Sequence, residues 1–68
     1  MSVARVTEII SSSPDSFESA VTEGMKRANK TLNNVRGAWV EGQKVVCDRD
    51  GNIKEYRVNL KVTFVLAD

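Results

Sequence analysis

Residues 53–66 (IKEYRVNLKVTFVL) alternate apolar and polar positions almost without a break. Tyr56, Val58, Leu60, Val62, Phe64 and Leu66 share one parity; Arg57, Asn59, Lys61, Thr63 and Val65 share the other. Strand side chains repeat every two residues, so the first row meets a core and the second faces elsewhere. A weaker alternation, rich in β-branched residues, predicts another strand over residues 3–10, with Val3, Arg5, Thr7 and Ile9 on one side and Ala4, Val6, Glu8 and Ile10 on the other. Between them the period becomes helical over residues 17–32. Phe17, Val21, Met25, Ala28 and Leu32 form one face, widened by Ala20 and Gly24, and charged or polar side chains form the opposite face.

The boundaries of these elements carry their own chemistry. In Ser11-Ser12-Ser13-Pro14-Asp15-Ser16, two residues are placed to cap the helix: Ser13, or Asp15 with Glu18 in capping-box spacing, with Pro14 in the first turn. Acidic residues come early and basic ones late, and Glu23 precedes Arg27 by one helical turn. Gly24 costs about 1 kcal/mol relative to alanine within a helix, which points to close packing against the sheet. Asn33-Asn34 suits a left-handed helix end. A less regular strand follows over residues 35–47, with a change of apolar phase at Gly42 that predicts a bulge or bend. Asp48-Arg49-Asp50-Gly51-Asn52 then reads as a hairpin turn with a positive φ supplied at Asp-Gly.

The order β-α-β-β, without repeat or linker, defines a single α+β domain over residues 1–68: a three-stranded antiparallel sheet partly wrapped around one helix. One helix covers one face of such a sheet. Trp39, Val65, Val45 and Cys47 are expected on the uncovered face, an apolar surface to be buried between subunits or against a ligand. Size leads to the same expectation, because a domain of about 60 residues buries only about 60% of its unfolded surface. With one cysteine and no histidine, neither an intrachain disulfide nor a Cys/His metal cluster can supplement the core, which leaves oligomerisation. A net charge of +1 gives no basis for nucleic-acid binding. The N-terminal residues contain no apolar run fit for a signal peptide or membrane span, and the lone thiol suits a reducing compartment, so the expected location is the cytoplasm.

Reaction chemistry is sparsely provided. The acid-rich turn resembles the start of an EF-hand loop, but Asn59 stands where a bidentate carboxylate is required and the flanks are strands. A cation shared between copies through Asp48 or Asp50 remains open. There is no histidine to activate the serines, and Asp48 beside Cys47 disfavours a thiolate, so no enzyme activity is expected. Glu41 and Glu55 read as cross-strand ion-pair partners, for Lys44, Lys54 or Arg57. Trp39, the one tryptophan, has small neighbours in Gly37 and Ala38. It either packs across a subunit interface or stacks on an aromatic ligand, with Arg57, Asn59 and Lys61 serving a polar or phosphorylated tail.

The strand–helix–strand–strand order, the opening VARVTEIISSSPDSFESAV, the helix end RANKTLNNV and the ending EYRVNLKVTFVL together resemble the dodecin family over essentially the whole chain. The resemblance implies a hollow homododecamer with its helices outward and no catalysis. It also implies binding and sequestration of a flavin, FMN or riboflavin, in stacked pairs between tryptophans. The family's stacking tryptophan falls at Gly37 and its flavin-binding glutamine at Arg57, with Trp39 two residues further along the same face. Dodecin-like proteins without that tryptophan have been described as calcium-containing shells, so the resemblance also implies a flavin-free, structural or calcium-holding alternative. The expected ligand-contacting residues are Gly37, Trp39, Arg57, Asn59 and Lys61.

Overall fold

A computed structural model describes residues 3–66 of the chain. Its elements are β1 (Ala4–Ser13), α1 (Phe17–Thr31), β2 (Val35–Cys47) and β3 (Ile53–Val65). All strand pairing is antiparallel, in the order β1-β3-β2, so the strongly alternating last strand is central. Val58, Leu60 and Val62 are fully buried beneath Ala20 and Ala28 of the helix. Ile9, Phe17, Val21, Met25, Leu32 and Val35 pack around them, and Phe17 meets Tyr56 edge to face with ring centroids 5.1 Å apart.

The helix lies so close to the sheet because its contact stripe is Ala20, Gly24 and Ala28, all small. A Cβ at Gly24 would stand 2.9 Å from both Leu60 Cδ1 and Ser11 Cβ. Ser11 Oγ donates a 2.7 Å hydrogen bond to the carbonyl of Ala20, tying β1 to the helix. The expected reason for Gly24 therefore holds. Phe17, Val21 and Met25 flank this stripe rather than form its centre.

Several local expectations change. β1 continues through Ser13, because Ser11, Ser12 and Ser13 pair with Val58, Arg57 and Tyr56. The N-cap is Ser16, neither Ser13 nor Asp15: its hydroxyl accepts from the Ser19 amide at 2.9 Å. Ser13 Oγ accepts instead from the Asp15 amide, and this local turn keeps Pro14 outside the helix. Glu23 pairs with Lys26 at 3.8 Å rather than with Arg27. Asn34 takes the left-handed conformation, φ 60°, but in the turn into β2 rather than at the helix end, which Leu32 closes in an extended conformation.

The helix is too short to cover the sheet. Fifteen residues at about 1.5 Å each span about 22 Å, whereas the thirteen residues of β3 span about 43 Å at strand rise. The helix runs over β1 and β3 from Tyr56 towards Phe64 and barely touches β2. The hairpin projects beyond it, and the chain measures 52 × 19 × 14 Å. Consequently Val40 and Val45 remain about half exposed even on the helix side.

Candidate functional site

The open face of the sheet is built from the second parity of β3 and its register partners. Moving along the sheet, Val6–Thr63–Gly37 is followed by Glu8–Lys61–Trp39, then Ile10–Asn59–Gly42, then Ser12–Arg57–Lys44. Gly37, Trp39, Arg57, Asn59 and Lys61 therefore share one face. The register shift between Val40 and Gly42 is the expected bulge. It inverts the parity of β2, which corrects one assignment: Val45 pairs with Tyr56 on the helix side, and Val46 pairs with Glu55 on the open side.

Apolar side chains on this face are unusually bare. Trp39 is 62% exposed and Ile10 70% exposed, with Val6 nearby. All of β2 except Val35, Gly37 and Val46 is exposed. A Cβ at Gly37 would have nothing within 4 Å, so the surface beside Trp39 is open. Exposed apolar surface of this kind marks an interaction or ligand-binding face.

The polar residues divide into two groups. Lys61 Nζ lies 2.9 Å from Glu41 Oε1, a partner different from the Lys44, Lys54 or Arg57 expected from sequence. Glu41 is the extra residue of the bulge, and the bulge swings its carboxylate towards β3. Hydrogen bonding to Glu41 and its charge raise the Lys61 ammonium above its usual pKa, with a smaller push from Glu8. Arg57 pairs with Glu55, two residues away on the same strand. Around the bulge lies a groove of about 380 Å³, lined by Ile10, Gly42, Gln43, Lys44, Arg57 and Asn59. Asn59 Oδ1 is buried there with no hydrogen-bond partner among the described residues.

The register keeps Trp39 away from Arg57. Trp39 stands opposite Lys61, four residues from Arg57 on β3, a separation of about 13 Å along the strand. Lys44 was missed as a site residue because sequence parity alone did not carry β2 through the bulge; Gln43, opposite Val58, has the helix-side parity. The phase change at Gly42 was the signal that could have found Lys44.

Other constellations are committed elsewhere. Asp48 Oδ1 accepts from the amides of Asp50 at 2.9 Å and Asn52 at 3.0 Å, and Gly51 has φ 84°, so the acidic run builds its turn. No group of three or more His, Cys, Asp or Glu residues is gathered among the described residues. No described helix is long and apolar enough to cross a membrane.

Residues 3–67 match the family model described as Dodecin. The chain is 41% identical over 64 residues to the calcium dodecin of Mycobacterium tuberculosis, covering 94% of this chain and 89% of that protein. Among solved structures, the dodecin from Streptomyces davaonensis is similar with a TM-score of 0.92 and 33% identity, over 98% of this chain and 97% of that one. The calcium-chelating calcium dodecin from Mycobacterium tuberculosis, solved with a calcium-binding site, gives a TM-score of 0.83 at 37% identity, over 96% and 91% of the two chains.

Proposed function

The chain belongs to the dodecin family, and from that membership and its open sheet face we propose that it assembles into a hollow homododecamer that binds and sequesters a small aromatic ligand of the flavin class. Trp39 carries this reading: a 62% exposed indole on a sheet face that the helix cannot cover. An aromatic ring stacked there would bury apolar surface on both partners. Gly37 leaves room beside the indole, and Lys61, Asn59 and Arg57 follow along the same face for the polar part of the ligand. The protein acts as a binder and store rather than a catalyst. Its residues fit a flavin through the free stacking surface of Trp39.

A native mass of twelve subunits, with quenching of riboflavin or FMN fluorescence at micromolar protein, is the expected outcome. A stable monomer, or flavin fluorescence unchanged by the assembled protein, would sink the proposal.

The 41% identity to a calcium dodecin favours a second reading, a flavin-free shell that holds calcium. Because no three carboxylates gather within the described residues, such a site would draw ligands from more than one copy, with Glu8 on the open side and Glu41 and Glu55 recruited from their ion pairs with Lys61 and Arg57. Calcium titration by calorimetry, with and without flavin, separates the two readings.

A further inference from the structure

We infer that the helix-side face of β2 is an interface with a second copy of this chain, separate from the open face that carries Trp39. This inference rests on the shell assembly proposed above and extends it by naming a second contact surface.

The bulge puts Ala38, Val40, Gln43 and Val45 opposite Val62, Leu60, Val58 and Tyr56, on the side of the sheet where α1 lies. Val62, Leu60 and Val58 are fully buried, yet all four β2 residues are exposed, Val40 by 50% and Val45 by 41%. The helix spends its contacts on β1 and β3 and leaves this row uncovered. Measured along β3, the row runs about 20 Å, and it contains no charged side chain. In the order β1-β3-β2, β2 is an edge strand, and an edge strand that faces water is ordinarily guarded by charge. The exposed face of α1, by contrast, carries Glu18, Glu23, Lys26, Arg27 and Lys30. The chain thus places charge where water remains and leaves it out of the β2 row.

What covers the row follows from its being back to back with the open face. Trp39 stands opposite Lys61 on one side of the sheet and Val40 opposite Leu60 on the other, so a partner seated on either face leaves the other bare. A single two-fold contact stops at two copies, and a single head-to-tail contact gives a ring or a filament. A hollow shell needs two different contacts, and the two faces of β2 supply two. The row holds no charge with which to select a foreign partner, whereas a copy of the same chain brings apolar surface of its own.

The test is native mass over a dilution series, with circular dichroism, for the wild type, Val45→Lys and Gln43→Lys. Asn29→Lys, on the exposed face of the helix, is the control. Gln43 is a polar, exposed residue of the single chain, so its replacement leaves the fold of the subunit unchanged. A lysine buried without a partner in an interface is costly. Each β2 variant is therefore expected to raise the concentration at which the assembly half-dissociates by at least about tenfold, and Asn29→Lys is expected to leave it unchanged. A twelve-subunit wild type whose mass persists on dilution in both β2 variants overturns this interface and leaves the shell reading intact; so does equal dissociation by Asn29→Lys. A monomeric wild type overturns both. Should Val45→Lys lose its native circular dichroism, Gln43→Lys alone decides.

Discussion

Gly24→Ala isolates the contact that brings the helix onto the sheet. Alanine is the better helix former by about 1 kcal/mol, so in an unconstrained helix the change would stabilise. Here the new methyl group would stand 2.9 Å from Leu60 Cδ1 and 2.9 Å from Ser11 Cβ. Leu60 is fully buried in the core, and the Ser11 Cβ, attached directly to the β1 backbone, cannot swing aside as a side-chain end could. Relief therefore requires the helix to lift. Overpacking of this kind costs about 1–3 kcal/mol, and lifting also stretches the 2.7 Å bond from Ser11 to Ala20, a loss of about 1 kcal/mol. After the gain in helix propensity, the net destabilisation is about 2 kcal/mol, or about 8–16 °C in Tm for a domain of this size. Thermal unfolding at one fixed protein concentration, alongside native mass, provides the measurement, because assembly makes Tm concentration-dependent. Combining Gly24→Ala with Leu60→Val removes one of the two opposing atoms, so the double variant should lose less than the two single losses together. A Gly24→Ala protein as stable as the wild type would refute the close-approach explanation.

Further expectations follow from the caps, the turn and the open face. Ser16→Ala should cost about 1 kcal/mol through loss of the Ser19 amide partner, while Asp15→Asn should be nearly neutral in denaturant unfolding. Gly51→Ala should cost about 1 kcal/mol because φ is 84° at that position, again read by denaturant midpoint. Trp39→Ala should retain the native mass and lose flavin quenching; an equally quenching variant would remove Trp39 from the site. Glu41→Gln should return the Lys61 ammonium towards its ordinary pKa in an NMR titration, since hydrogen bonding and charge from Glu41 raise it. A raised lysine pKa means that the stabilisation from this pair is fully present below the unfolded value of 10.5 and fades as pH rises through the higher folded value, and Glu41→Gln should remove that alkaline dependence.

The alternation in residues 53–66, the helical spacing of residues 17–32 and the Asp-Gly turn determined the β-α-β-β order, the buried row on β3 and the need for a small residue at Gly24. These features are local, because periodicity of two or 3.6 residues fixes which side chains share a face before any partner is known. The dodecin resemblance was likewise legible in contiguous stretches. Helix entry was less so: in a run of side-chain oxygens, the choice of Ser16 over Ser13 or Asp15 depends on how far pairing with β3 extends β1.

Only the tertiary structure decided how the open face is composed. A bulge changes which residues stand opposite each other without leaving an unambiguous mark in the sequence, so Val45 turned to the helix side, Glu41 reached Lys61, and Lys44 came opposite Arg57. The mismatch between a helix of about 22 Å and a strand of about 43 Å is also a property of packing, and it leaves β2 bare on both faces. The sequence therefore identified Trp39 and Arg57 as residues of interest, while cross-strand register determined that they lie two rows apart on the open face.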